Sequence, residues 1–492
     1  MLISNVHLPY LDEDNAGHLY SIRCTDGFIE SVERQPQNHP VANNEDVDLI
    51  DGKGGLLLPS LCHSHIHLDK CYILEQGEPL TTGDFAEALR VTSAVKAGFV
   101  ERTDDLYARG RRLIQESVAS GVTSMRAHVE VDAIVGSACL EVGLRLSEEF
   151  KDVCDVEIAV FMQDPIFDSE RDIDFGKNAS VLKDVLDRYA SSSKAFTAVG
   201  SAPYVERTRE QQLKNIEFII SLAQNYDLHL DFHLDYDLKP CDEATEQASE
   251  DDPLIFAVLS YLAQPSSAKV KSLTVGHMTR LSVFTPPLIS RLRSYLEAIP
   301  PESSLRSISF VGLPQSDLYM MGRRSSSSSS TSERYEESFG GPSTPRGTLD
   351  VLRFRRFCDS VNEKLRGEHA RSIFVNVAMS VNNVANAFTP QGTADPLSLC
   401  TLGVAVYQSA TKESCRVLLE SISTASKLAV GDVHSSVLAD PLSILPTSGR
   451  PADFVILHDN SDIQSAVLSP SYSRTTIKGG RVVSWRVGVV HM

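Results

Sequence analysis

Three histidines, His63, His65 and His67, fall within five residues at the end of the apolar stretch LLLPSLCHSHIHLDKCY (56–72). Neutral imidazole offers a nitrogen lone pair, and alternate residues of a strand share one face. Two imidazoles about 6–7 Å apart along such a face can converge on a single ion. Zn²⁺ and Fe²⁺ suit that donor type. An HxH pair alone says little, because an isolated histidine in an apolar strand is more often a hydrogen-bonded core residue. Here, however, single histidines also close later apolar runs: His128 in GVTSMRAHVEVD, His233 in DLHLDFHLDYDL and His277 in LTVGHMTRL. Histidines at the ends of successive strands are what a buried metal centre requires.

The elements that would position them alternate along the middle of the chain. Short runs rich in Val, Ile and Phe at Gly55–Cys62, Val122–Val129, Val156–Met162, Ala198–Ala202, Leu228–His233, Leu273–His277, Ser307–Leu313 and Ile373–Met379 read as strands. Segments of helical periodicity lie between most of them, among them RRLIQESVAS (111–120) and IEFIISLAQNY (216–226). Eight strand–helix units over about 370 residues predict an α/β protein, a (β/α)8 TIM-type barrel, whose active site forms at the C-terminal strand ends. Short strand-like runs at both chain ends, with a hairpin at Gly479–Gly480, predict one small β domain built from the two termini. The expected division is 1–57 and 433–492 for that domain and 58–432 for the barrel. The Ser-rich segment 323–347, poor in apolar residues, is expected to be a disordered loop on the catalytic face.

Composition narrows the function. The 492 residues carry 46 Lys plus Arg against 65 Asp plus Glu, a net charge of −19. That balance argues against nucleic acid and anionic membranes as partners. Nine scattered cysteines with no CxxC pair read as reduced thiols of a cytoplasmic protein. No secretory signal and no membrane-spanning run is evident. A small-molecule substrate is expected, with a homo-oligomer left open.

The motifs resemble those of the amidohydrolase superfamily, in its cytosine deaminase and N-isopropylammelide amidohydrolase-like branch. The run ending HSHIHLDK looks like the first-strand motif, and RAHVEVD (126–132) is similar to the second. EIAVFMQDPIF (157–167) resembles the third-strand motif, with Gln163 as a pyrimidine contact. DLHLDFHLDYDL, LTVGHMTRL, FVGLPQSDLYMMGRR (310–324) and VAMSVNNVANAFTPQGTADPL (377–397) resemble the later strand regions. The resemblance implies a metal-dependent hydrolase of carbon–nitrogen bonds other than peptide bonds. It would act on a small cyclic amidine or amide by attack of metal-bound hydroxide. It implies one divalent ion, Zn or Fe, held by His65, His67, His233 and the strand-8 position, Asn382. The fourth strand lacks the lysine of two-metal relatives. His277, Asp235 and Asn382 are the catalytic expectations, and Gln163, His128 and Lys70 the substrate-binding ones.

Two positions depart from that pattern. Asn382 stands where an Asp is expected, and Tyr236 where cytosine deaminases carry a Glu proton shuttle. Asp235 is read as the replacement shuttle, with Asp237 a weaker one. The departures sustain an alternative: a non-hydrolytic protein on the same fold, either a pseudoenzyme or binding protein, or a lyase or cyclase of specialised metabolism. His63 is expected to be a core residue of the same strand parity as His65 and His67, and Cys62 and Cys71 packing thiols.

Overall fold

The computed structural model describes residues 1–12, 14–36, 48–191, 193–240, 251–322, 347–369, 373–431 and 440–488. The Ser-rich segment 323–347 lies outside the described residues but for Gly347. So do 432–439, at the expected border between barrel and C-terminal segment.

Eight parallel strands form one sheet in sequential order: β1 (Leu61–His67), β2 (Val122–Glu130), β3 (Asp155–Met162), β4 (Phe196–Ser201), β5 (His229–Leu234), β6 (Ser272–His277), β7 (Ser307–Gly312) and β8 (Phe374–Met379). Helices cross over between most of them, including Thr103–Ala119, Ala138–Phe150 and Arg209–Asn225. The strands read as apolar runs because both faces are covered, by the barrel interior and by the helices. Leu230, Phe232, Val275, Phe310 and Val377 are all essentially inaccessible. The sheet closes on itself at one residue. Asn382, just past β8, donates its N–H to the His65 carbonyl (3.1 Å) and accepts the His67 N–H (2.8 Å). Ser380 adds its hydroxyl to the His65 carbonyl (2.7 Å).

The first barrel strand differs from expectation. The run Gly55–Cys62 is divided between two sheets: Leu49–Pro59 belongs to the small sheet, and the barrel strand starts at Leu61. Leu49–Pro59 pairs in parallel with Leu2–His7 and antiparallel with Phe454–Leu457, so it joins the two chain ends. Proline at position 59 lacks the N–H for a further ladder bond, which places the change of sheet there. The small sheet has seven strands, completed by Tyr20–Thr25, Phe28–Arg34, Arg474–Lys478 and Arg481–Arg486, over a core of Ile3, Val6, Ile22, Leu57, Phe454 and Ile456. The last two strands form the expected hairpin, with Gly479 and Gly480 at φ 52° and 74°. A two-residue loop with positive φ at both positions matches the twist of the strands it joins. Among the described residues no helix is long and apolar enough to cross a membrane.

Candidate active site

His65 and His67 project from β1 toward His233, near the C-terminal end of β5. Ring centroids lie 5.4 Å (His65–His67), 4.4 Å (His65–His233) and 5.2 Å (His67–His233) apart. One ligand nitrogen from each lies within 4.8 Å of the others, and all three residues are buried. Phe161 of β3 lies beneath, 3.9 Å from the His233 ring, and excludes water from that side. Burial pushes all three imidazoles well below the usual histidine range, and neighbouring cationic and imidazole groups add to the shift. They are therefore neutral, with lone pairs available.

The packing around them is close. Gly276 of β6 faces the His65 ring, and a Cβ there would sit 2.7 Å from Cε1 and 2.8 Å from Nδ1. Only glycine admits the ring at this position. His277 and Asn382 hold positive φ angles of 70° and 68°, left-handed conformations unusual for residues with a Cβ. Such strain costs on the order of 1–3 kcal/mol per residue and persists where the surroundings impose it, commonly at functional sites.

A metal fits this donor set. Both ring nitrogens of His65, Nδ1 of His67, Nε2 of His233 and Oδ1 of Asn382 are buried without a hydrogen-bond partner. Polar atoms buried unpaired cost about 1–3 kcal/mol each, so three buried imidazoles with ligand nitrogens within 4.8 Å of one another call for a ligand. Asn382 commits Nδ2 to the Ser316 hydroxyl at 2.7 Å, which leaves its carbonyl oxygen as the free atom. That oxygen could serve as a weak fourth donor at the strand-8 position.

Above the imidazoles a cavity of about 20 Å3 is lined by His67, Lys70, Gln163, His277, Asn383 and Asn382, and closed by the rings of Phe85, Tyr204, Tyr236 and Phe388. Phe85 packs edge-on against Tyr236 (5.6 Å) and Phe388 (5.8 Å). The space suits an ion or a water; a ring-sized substrate requires this aromatic cap to shift.

Lys70 does not pair with the side chain of Asp69. Its ammonium lies 2.7 Å from Glu130 at the end of β2 and 3.4 Å from the Gln163 carbonyl oxygen. Lys96, from the helix Phe85–Lys96, joins the same carboxylate (2.7 Å) and also Asp132 (2.8 Å) and Asp164 (2.7 Å). Full burial would raise the Glu130 carboxyl, but Lys70 and Lys96 override it and hold it below the usual range. Asp69 instead accepts the Glu130 backbone N–H at 2.7 Å. Lys70 thus reaches the cavity as a cation fixed from behind.

Four expectations are revised by the structure. Asp235 faces away from the cavity: its two carboxylate oxygens accept the Leu254 and Ile255 N–H groups (2.7 and 3.0 Å) at the start of the helix Leu254–Leu262. An acid two residues beyond His233 would share its face in a continuing strand, but β5 ends at Leu234 and Asp235 turns at φ 48°. Asp237 likewise caps its own loop, at the Lys239 N–H (2.8 Å). His128 is fully buried beside His65, ring centroids 4.1 Å apart, with Nε2 3.2 Å from Asp231. It is not among the residues lining the cavity. His63 is a core residue as expected, but its Nε2 meets the Ser117 hydroxyl (3.1 Å) on the helix Thr103–Ala119. A register shift between His63 and Ile66 breaks the parity that would have aligned it with His65.

Sequence reasoning missed Asp317, Tyr204, Phe85, Phe388 and the carboxylates around Lys96. Asp317 lies in the short helix Pro314–Met320 after β7, fully buried, with Oδ1 2.9 Å from Nδ1 of His277. It stands within a motif already recognisable, FVGLPQSDLYMMGRR, but nothing in its spacing separates it from a helix cap. Tyr236 fills the shuttle position and stacks on His277, 3.8 Å between centroids and 30° between planes.

No protein-family model matches the chain. Over 192 residues it is 26% identical to the N-isopropylammelide isopropyl amidohydrolase of a Pseudomonas species, a stretch covering 38% of this chain and 44% of that protein. The chain therefore aligns with less than half of that relative's length. Among solved structures, a 5-methylcytosine deaminase from Klebsiella pneumoniae liganded with phosphonocytosine superposes with a TM-score of 0.75 at 21% identity, covering 100% of both chains. An N-isopropylammelide isopropylaminohydrolase from Burkholderia multivorans gives 0.67 at 18% identity, over 99% of this chain and 98% of that one. An atrazine chlorohydrolase from Arthrobacter aurescens, complexed with zinc, gives 0.60 at 15%, over 98% and 94%. These superpositions over the whole length show that the chain shares the fold of these proteins, barrel and small sheet together.

Proposed function

We propose that this protein is a metal-dependent hydrolase of carbon–nitrogen bonds other than peptide bonds, acting on a small ring compound of the cyclic amidine or amide type. The observation that carries the reading is the convergence of His65, His67 and His233, buried and neutral, with one ligand nitrogen of each within 4.8 Å of the others. These three, with the Asn382 carbonyl oxygen, would hold one divalent ion, zinc or iron. Bound there, it supplies Lewis acidity that polarises the substrate and lowers the pKa of water.

The protein's own groups do the rest. Lys70 and the Gln163 amide face the cavity side by side and would hold an oxo substituent of the ring, the lysine donating to its oxygen. Phe85, Tyr236 and Phe388 close over the ring faces and exclude bulk water, which strengthens every polar contact inside. His277, at the cavity wall, is placed to exchange a hydrogen bond with the attacking water or the leaving nitrogen.

A second reading rests on one feature: none of the residues lining the cavity is a carboxylate. On it, the barrel binds a ring compound without hydrolysing it.

The test is metal analysis of purified protein together with amine release from cytosine, 5-methylcytosine and N-isopropylammelide. About one equivalent of zinc or iron, lost in His233→Ala, and release of ammonia or isopropylamine support the hydrolase. Metal without turnover on any of the three supports the binding protein. Absence of metal after growth in supplemented medium sinks the hydrolase reading.

A further inference from the structure

The cavity lacks an acidic side chain, yet a carboxylate lies one residue behind its wall. Asp317 is fully buried in the helix Pro314–Met320, and each of its oxygens has a distinct task. Oδ2 accepts the Leu313 backbone N–H (3.1 Å) and the Thr348 hydroxyl (3.1 Å). Oδ1 faces His277 Nδ1 at 2.9 Å. A backbone N–H can only donate, so Oδ2 is an acceptor whatever the charge of the group. Oδ1 has the His277 ring as its one partner, and as a carboxylate oxygen it accepts the N–H at Nδ1. The ring is also fixed in plane by Tyr236, stacked at 3.8 Å. Tyr236 is in turn tied to the same short helix, its hydroxyl 3.4 Å from the Ser316 carbonyl oxygen.

We propose that Asp317 is a positioning residue that selects the Nδ1–H tautomer of His277, so that Nε2 meets the cavity as a hydrogen-bond acceptor rather than a donor. A lone pair at that point accepts a hydrogen bond from water or from a substrate N–H. The opposite tautomer would donate to a substrate oxygen. The acceptor role that a shuttle carboxylate would fill from the Tyr236 position is thereby supplied from β6, by an imidazole held from the far side of the wall. The logic is that of a carboxylate orienting a histidine in a hydrolytic triad. Its contribution to turnover rests on the hydrolase reading; the tautomer assignment does not.

The geometry makes Asp317→Asn an informative variant. The Leu313 N–H and Thr348 hydroxyl demand an oxygen at the Oδ2 position, so the amide NH₂ must take the place of Oδ1. It then donates to His277 Nδ1 and drives the ring proton to Nε2. ¹⁵N NMR of protein labelled at histidine, with His277 assigned by loss of its signals in His277→Gln, reads the tautomer without substrate. The expected result is Nδ1–H in the parent and Nε2–H in Asp317→Asn. For whichever of cytosine, 5-methylcytosine or N-isopropylammelide the parent hydrolyses, kcat should fall roughly 100-fold or more with KM little changed. The same substitution in a His277→Gln background should add almost nothing, since the two act as a unit. Nε2–H in the parent protein overturns the proposal whether or not the variant folds. So does a kcat within about threefold of the parent, or an additive double variant. If none of the three compounds is hydrolysed, the hydrolase reading fails and the NMR result still decides the tautomer.

Discussion

Asn382 combines two roles that are separable by mutation. Its backbone closes the barrel through His65 and His67, while its side chain presents a neutral oxygen that is buried without a hydrogen-bond partner. Asn382→Asp keeps the backbone role and the size of the side chain. The carboxylate would accept from the Ser316 hydroxyl and place a negative charge beside the three imidazoles. Divalent metal affinity should rise by roughly an order of magnitude or more, read by chelator competition with zinc. Without metal the same variant should unfold at lower temperature, since a buried charge then lacks its counter-ion. An unchanged affinity would show that the Asn382 side chain lies outside the coordination shell. The residue types were legible in the sequence: HxH, His233 and His277 stand out because few other reasons exist to place histidines at successive strand ends. The direction of each side chain was not. Asp235 follows His233 at the spacing of a strand neighbour, yet a left-handed turn rotates its carboxylate onto the N–H groups of Leu254 and Ile255.

The element that most influences the cavity is the helix Phe85–Lys96. Its first residue supplies an aromatic wall, and its last reaches past the ends of β2 and β3 to three carboxylates. Asp84 caps it by accepting the Glu87 N–H (2.8 Å). Lys96 is the cation that lets Glu130, Asp132 and Asp164 approach one another, and through Glu130 it sets where Lys70 points. Lys96→Met keeps the length of the stem but leaves these carboxylates uncompensated. Urea unfolding should show a loss of about 3–5 kcal/mol, the range for removing one partner of a buried ionic cluster. A loss under about 1 kcal/mol would mean that solvent, rather than Lys96, compensates the cluster. Local sequence could not reveal this network, because its members are separated by 34 and 68 residues and meet only when the strand ends are assembled.

At the scale of the molecule, a barrel that buries neutral imidazoles is sensitive to acid. His63 is fully buried against Ser117, and desolvation pushes it down to about 4. The unfolded chain takes up that proton near pH 6.5, the folded chain only near 4. The stability this residue contributes is thus complete above pH 6.5 and lost progressively as pH falls toward 4. At pH 5 the loss is on the order of 2 kcal/mol, from 1.36 kcal/mol per pH unit. In His63→Asn, which can still meet the serine hydroxyl, the fall in unfolding free energy between pH 7 and 5 should be smaller by about that amount. An equally steep fall in the variant would assign the acid sensitivity elsewhere.

Sequence by itself determined the architecture and the metal-type donor set, for a physical reason: both are written in short-range patterns. Apolar runs buried on both faces announce a parallel barrel, paired glycines at 479–480 announce a hairpin, and histidines ending strands announce a cluster at one rim. Tertiary structure alone decided what depends on direction and on distant partners. The change of sheet at Pro59 separated one apolar run into two strands. A register shift turned His63 outward while His65 stayed within. Asp317 became the partner of His277 because the turn after β7 folds back beside the end of β6, across 40 residues of sequence. Such contacts are set by where strands end and how the barrel closes, and no local pattern of residue types records that.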